Sequence, residues 1–197
     1  MSAPQPLRVG VLAVQGDFAA HSRVLRELGA SPSEVRAPGQ LVDLDGLIIP
    51  GGESTTITMG MESAGLDEGV RSHHRAGRPI LGTCAGMIVC DDRHLGLLDA
   101  TARRNAFGRQ LQSFETDLEV EGLGPEPLRA VFIRAPWIER HGPGVEVLAS
   151  WRDHPVVVRD DSVLACAFHP ELTDDARTHA LFMAMVTEAT RVRENAR

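Results

Sequence analysis

Residues 7–28, LRVGVLAVQGDFAAHSRVLREL, set the reading of the fold. Leu7 to Gln15 is almost wholly apolar, a run suited to a strand buried on both faces. Gly16-Asp17 interrupts it. Asp17 is a good N-cap, because its carboxylate accepts from the free N–H groups of a first helical turn. A helix from Phe18 to about Leu28 is expected, with Val24, Leu25 and Leu28 on one face and Gly29 as its stop. Strand, turn and helix in that order predict an α/β domain.

The same grammar repeats along the chain. Leu44 to Pro50 (LDGLIIP) reads as a second buried strand, followed by Gly51-Gly52 and the helix-start residues Ser54, Thr55 and Thr56. Leu66 to Ala76 has a helical pattern. Pro79 to Thr83 is a third short apolar strand that runs into Cys84-Ala85-Gly86 and a helix-like MIVC segment. From about Arg103 to Glu121 the pattern is mixed and assigns no element. Further strands are expected at Leu128–Ile133, Val145–Ser150, Val156–Val158 and Val163–Phe168. A last helix, Asp174 to about Thr190, pairs Leu181 with Met185 and Phe182 with Val186 at i,i+4 spacing. The charged tail 191–197 is expected to fray. These elements predict one three-layer α/β domain over residues 1–197, flavodoxin-like, with a central, mostly parallel sheet.

Composition narrows the function classes. Hydrophobic residues make up 43% and charged residues 24% of the 197 positions, which excludes a disordered or fibrous chain. The formal net charge of -7 disfavours nucleic acid or an anionic membrane as partner. No apolar run approaches the roughly 18 residues of a membrane span, and MSAPQPLRVG lacks the pattern of a signal peptide. A cytoplasmic location is expected. Three cysteines, Cys84, Cys90 and Cys166, are too few and odd in number for a disulfide framework. No Cys-x-x-Cys or His-x-x-x-His pair points to a metal, and no cofactor is expected. The sequence contains no lysine; all 20 basic residues are arginine. Imine chemistry through a lysine amine is therefore closed to this chain.

Three motifs carry candidate chemistry. Gly82-Thr83-Cys84-Ala85-Gly86 has the G-x-nucleophile-x-G form of a strand-to-helix elbow. The glycines suit a tight turn, and a helix N-terminus favours the thiolate. The Ala85 N–H would face the same space as an oxyanion donor. A lone cysteine is more often buried filler, the reading kept for Cys90 and Cys166; the paired glycines turn Cys84 toward a nucleophile. In Phe168-His169-Pro170-Glu171, extended geometry at His169 would place Glu171 on the same side as the imidazole, as base and orienter. A strand-end histidine exposed to water is the bland alternative. Gly51-Gly52, after a buried strand, leaves backbone N–H groups free, and Gly52 is the candidate second oxyanion donor; an ordinary turn is the alternative. Arg104 and Arg134 suit a substrate or interface carboxylate. His21, His73, His74, His94, His141, His154 and His179 have no partner at a suggestive spacing and read as surface or core residues.

Taken together, PGGES at 50–54, GTCAG at 82–86 and FHPEL at 168–172 resemble the class I glutamine amidotransferase family. Within it, GVLAVQGDFAAH (10–21), GLIIPGGESTT (46–56), RNAFGRQLQSFE (104–115), FIRAP (132–136) and FHPELTDD (168–175) are similar to the glutaminase subunits of pyridoxal 5'-phosphate synthase. That resemblance implies a Cys84, His169 and Glu171 triad that hydrolyses L-glutamine through a glutamyl thioester. It implies glutamine-binding positions at Gly52, Glu53, Ser54, Arg104, Ile133 and Arg134. It also implies a separate synthase subunit, present as a ring decorated by glutaminases, that supplies the catalytic lysines and receives the ammonia. Gln15 and Gly16 resemble the segment that meets the synthase and helps to set the oxyanion site. The stretch IVCDDRH at 88–94 is shorter than in many relatives. Glutaminase subunits serving another product, a non-catalytic binding protein and a cysteine protease are the other readings; RNAFGRQ and FIRAP, the intact triad, and an acid two residues after His169 argue against them in turn.

Overall fold

The computed structural model describes residues 5–107 and 113–196. The 108–112 part of the stretch quoted at 104–115 lies outside the described residues, as does the last residue of the tail.

β1 (Arg8–Leu12) is buried from Val9 onward, as its apolar run requires. α1 (Phe18–Glu27) is capped by Asp17, whose side chain accepts from the Ala20 N–H at 3.0 Å. Gly29, at φ 82°, ends the segment in the left-handed region that glycine enters without steric penalty. β2 (Ser31–Val35) was not legible in the sequence. Its SPSEV is polar, only Val35 is buried, and it lies at a sheet edge, where Pro32 costs no ladder bond.

β3 (Gly46–Ile49) is wholly buried and leads through the Gly51-Gly52 turn into α2 (Ser54–Ala64). The cap of α2 is Glu53, whose carboxylate accepts from the Thr56 N–H at 2.8 Å. Ser54 is therefore the first helical residue. Gly65, at φ 67°, closes α2 and opens α3 (Leu66–Arg75), which buries Leu66, Val70 and His73. β4 (Ile80–Thr83) is fully buried and runs into α4 (Ala85–Cys90), a short helix without an exposed residue.

The unassigned middle of the sequence becomes β-structure. β5 (Ala100–Arg103) and β6 (Ser113–Leu118) each belong to a two-stranded antiparallel sheet, β5 with β8 (Trp137–His141) and β6 with β7 (Leu128–Ile133). β6 alternates exposed and half-buried positions, so it offers no apolar run to a reader of sequence. β9 (Glu146–Trp151), β10 (His154–Asp160) and β11 (Val163–Cys166) complete the strands. α5 (Arg177–Asn195) starts three residues later and ends five residues later than the sequence pattern suggested.

The main sheet has seven strands in the order β2-β1-β3-β4-β11-β10-β9. The first five pair in parallel and the last two are antiparallel. The crossovers β1–α1–β2 and β3–α2–α3–β4 run in opposite directions across the sheet. Right-handed crossovers therefore put α1 on one face and α2–α3 on the other. α5 shares the α1 face, where His179 meets His21. The outcome is the expected three-layer α/β architecture with a mostly parallel sheet. β1, β3, β4 and β11 all end at the same edge, and their C-terminal ends converge on one region, the usual ligand position in open α/β sheets.

Two packing features hold this frame. α5 lies so close to β3 that a Cβ on Gly46 would sit 2.6 Å from Val186 Cγ2 and 3.0 Å from Phe182 Cζ. Phe182 and Val186, the expected i,i+4 pair, are both fully buried there. On the β6–β7–β9 side, Phe107, Phe114, Phe132, Trp137 and Trp151 form one aromatic cluster. Phe114 and Phe132 are stacked at 4.7 Å, and Phe107 meets Trp137 and Trp151 edge-on. Truncating Phe182 to alanine removes a full core side chain from the α5–β3 contact. Phe182→Ala is expected to cost about 3–5 kcal/mol, read as a lower midpoint in urea denaturation at unchanged m-value.

Candidate active site

Cys84 sits where β4 turns into α4, at φ 49° and ψ -107°. That left-handed backbone is strained for a non-glycine residue, and such strain persists only where surrounding contacts over-determine it. The contacts are on hand. The Cys84 N–H donates to the Cys166 carbonyl at the end of β11, at 2.8 Å. A Cβ on Gly82 would meet the Gly86 carbonyl oxygen at 2.7 Å, and one on Gly86 would meet the Ile49 carbonyl oxygen at 2.0 Å. Both glycines of the elbow are thus required by close backbone approach, as its sequence form implied. Cys84 itself is nearly buried, at 5% exposure.

His169 follows β11 and is tied to β7 by its N–H, which donates to the Val131 carbonyl at 2.9 Å. Its backbone, at φ -105° and ψ 88°, falls short of the extended geometry expected, and Pro170 then starts a single 3-10 turn that carries Glu171. The expected His–Glu contact is present, but it is made through this turn and not through a fully extended pair. Nδ1 lies 2.7 Å from Glu171 Oε1. The ring and the Cys84 side chain meet at one cavity, where the Cys84 thiol lies 3.8 Å from the Ile133 carbonyl oxygen. Both side chains crowd the space before Gly51, where a methyl group would lie 2.5 Å from His169 Cε1 and 3.2 Å from Cys84 Cβ.

These contacts set the charge states. Burial works to depress the His169 pKa, but hydrogen bonds to Cys84 and Glu171, and their charges, outweigh it and push the value up to about 10. Burial also works to raise the Glu171 pKa. The His169 hydrogen bond and the neighbouring histidines prevail, and the group stays ionised below its ordinary value. By contrast, burial pushes the Cys90 thiol up to about 12 and the Cys166 thiol well above the normal range, so both are inert packing.

Cys84 and His169 open into a cavity of ≈ 290 Å³. Its floor includes Ala85 at the start of α4. Gln15, Gly52, Glu53 and Ser54 line it as well. Arg104, Ile133 and Arg134 also line it, joined by Asn105 and Pro136, which the sequence did not single out. Ile133 is half-exposed and Arg134 takes a left-handed φ of 45°, which turns the chain sharply at the end of β7. Arg104 donates to Thr55 Oγ1 at 3.0 Å and to Glu53 Oε1. Glu53 already caps α2, and backbone hydrogen bonds from the helix start hold its pKa near 2. Glu53 and Arg104 therefore clasp one another across the cavity mouth.

Gly16 does not line the cavity. At φ 97°, it packs beneath the glycine turn, where a Cβ would meet the Gly51 carbonyl oxygen at 1.9 Å. Gln15 Oε1 accepts from the Glu53 N–H at 3.0 Å. The loop after β1 is thus physically coupled to the loop after β3. Among the described residues, no group of three or more His, Cys, Asp or Glu side chains is placed to hold a metal ion, and no helix is long and apolar enough to cross a membrane.

With this geometry in place, comparison with known proteins is decisive. Residues 11–188 match the SNO glutamine amidotransferase family. The chain belongs to that family. It is 53% identical to the pyridoxal 5'-phosphate synthase subunit PdxT of Parafrankia sp. (strain EAN1pec), over 94% of this chain and 95% of that protein. It is 51% identical to the protein of the same name from Desulforudis audaxviator, over 91% and 99% of the two chains. Among solved structures, a glutamine amidotransferase superposes with a TM-score of 0.84 at 48% identity, covering 91% of this chain and 98% of that one. A putative GMP synthase protein from Thermoplasma acidophilum shares the fold, with a TM-score of 0.78 at 21% identity, over 98% of this chain and 100% of that one.

Two residues of this amidotransferase site escaped the sequence reading. His21 and His179 are fully buried behind Glu171, with His21 Nδ1 2.9 Å from His179 Nε2 and His21 Nε2 3.4 Å from Glu171 Oε2. The helical spacing His21, Val24, Leu25 marked His21 as inward-facing. Nothing in the sequence paired α1 with the His169–Glu171 turn. A histidine held charged by folding stabilises the native state fully below its unfolded pKa of about 6.5. That contribution drains away as pH rises through the folded value of about 10. The native chain is expected to lose stability across this interval, and His169→Gln to flatten the slope, in denaturant titrations run at stepped pH.

Proposed function

We propose that this glutamine amidotransferase hydrolyses L-glutamine to L-glutamate and ammonia with Cys84, His169 and Glu171, and delivers the ammonia to a separate pyridoxal 5'-phosphate synthase subunit. The observation that carries the reading is that Cys84 and a His169 ring bonded to Glu171 meet at one cavity. Roughly half of all positions are shared with proteins named as pyridoxal 5'-phosphate synthase subunits.

Each step balances on residues present in the chain. With the Cys84 proton carried by His169, the sulfur attacks the carboxamide carbon of glutamine. The tetrahedral oxyanion is held by the N–H of Ala85, at the helix start, and that of Gly52. The intermediate collapses as His169 returns the proton to the leaving nitrogen, which departs as ammonia and leaves a glutamyl thioester. Water, deprotonated by His169, attacks the thioester and releases glutamate and the free thiol. Glu171 keeps the imidazole oriented and stabilises its charged form in both halves. Gly52, Glu53, Ser54, Arg104, Ile133 and Arg134 bind the substrate, with the Arg104 guanidinium suited to its carboxylate.

Ammonia must leave toward an acceptor before it is protonated, because ammonium has no free electron pair with which to attack. A chain without lysine cannot form an imine with a sugar phosphate, so the acceptor chemistry belongs to the synthase subunit. Gln15, which accepts from the Glu53 N–H, and Gly16, which packs against Gly51, are the interface with that subunit. Its docking is expected to raise glutaminase turnover by fixing the Gly52 donor.

Glutamate release is the direct test, with and without the synthase subunit. Cys84→Ala should abolish it, and Glu171→Gln should lower kcat by about 10³–10⁴-fold. Full turnover in the Cys84 variant rejects the nucleophile. Equal turnover with and without the synthase rejects the activation.

A further inference from the structure

The amidotransferase chemistry uses Glu171 through only one of its two oxygens. Oε1 meets His169. Oε2 is buried and makes no hydrogen bond among the described residues. A buried carboxylate oxygen left without a donor is costly, so a group placed to approach it is informative. His21 Nε2 lies 3.4 Å away, with both side chains at 1% exposure or less.

His21 sits at a junction. Its Nε2 is also 3.3 Å from Thr83 Oγ1, which accepts the Gly51 N–H at 3.0 Å. Thr83 is the residue immediately before Cys84, and Gly51 opens the glycine turn. On its other side, His21 Nδ1 is 2.9 Å from His179 Nε2 on α5. One ring thus touches the orienting acid, the elbow and, through Thr83, the loop that carries the candidate oxyanion donor.

The contacts select a tautomer. His179 Nδ1 is buried and has no hydrogen-bond partner among the described residues. If the His179 proton lay there, a buried N–H would be left unpaired. The bond to His179 would then need a proton on His21 Nδ1, and the bare His21 Nε2 would turn its lone pair toward a carboxylate. With the protons exchanged, the buried unpaired N–H and the lone-pair repulsion are both removed, and His179 Nδ1 is left as a bare acceptor. His179 Nε2–H donates to His21 Nδ1, and His21 Nε2–H faces Glu171 and Thr83. Burial keeps both rings uncharged, holding His21 below its usual pKa and His179 near 3. The neutral donor leaves the full carboxylate charge available to His169.

We propose that His21 is a positioning residue of the active site: its Nε2–H, fixed by His179, braces Glu171 Oε2 and Thr83 Oγ1, and so holds the acid that orients His169. The inference rests on the triad proposed above. The 3.4 Å contact to Oε2 is long, and it shortens in the reacting complex, as catalytic hydrogen bonds do on activation.

Two substitutions separate bracing from mere filling. His21→Gln keeps an N–H at the position of Nε2, and His21→Met fills similar space without a donor. Measured as the complex with the synthase subunit, His21→Met should lose about 10–100-fold in kcat with KM for glutamine unchanged, and His21→Gln should recover most of that loss. Native kcat in His21→Met, or an equal loss in both variants, overturns the proposal. Should neither variant fold, the unaltered chain still decides, through long-range ¹⁵N–¹H correlation of its histidine rings at neutral pH. An Nε2–H signal for His21 is expected; an Nδ1–H tautomer overturns the brace. Cys84→Ala, run in parallel, keeps the readings apart: its full activity would remove the triad itself, whereas an inactive Cys84→Ala beside a native-like His21→Met removes only the brace.

Discussion

Backbone touches backbone where the parallel strands end, and the site depends on that crowding. Gly86 lies against the Ile49 carbonyl, Gly82 against the Gly86 carbonyl and Gly16 against the Gly51 carbonyl, each closer than any Cβ would permit. The loops after β1, β3 and β4 are consequently one packed unit. The strained Cys84 backbone is tolerated inside it, since no single loop can relax without displacing its neighbours. A one-carbon addition at any of these glycines is a change to the whole site.

Electrostatics is the second layer of the same design. Taking the Glu171 charge out of water costs several kcal/mol unless partners compensate. His169 compensates on one side, and the imidazole of His21 is placed on the other. The compensation is mutual: with Cys84, the buried carboxylate raises the His169 pKa against the pull of burial. Burial acts the other way on Cys90 and Cys166, whose fully buried thiols are pushed up in pKa.

Much of this was written locally enough to be read without coordinates. The Asp17 cap, the Gly29 stop, the apolar strands and the Phe182–Val186 pair each follow from a few consecutive residues, and each is where it was expected. The elbow was legible because its glycines flank the cysteine directly. What could not be read depends on contacts distant in sequence. β2 and β6 are polar edge or alternating strands that owe their form to a neighbour. The α2 cap fell to Glu53 because its carboxylate also answers Arg104, 51 positions away. The pairing of His21 with His179 spans 158 positions, and neither residue has a local pattern that announces the other.

The aromatic cluster behind the cavity has an optical consequence. The chain has no tyrosine and only two tryptophans, and both belong to that cluster. Trp137 follows Pro136 of the cavity wall and stacks on His154, and Trp151 lies beneath the Arg152 guanidinium. Intrinsic emission therefore originates entirely from one side of the molecule. Any ligand or protein partner that shifts Phe107 or the Arg134–Trp137 bend would be visible in the emission spectrum of the unlabelled protein, against a background free of phenol signal.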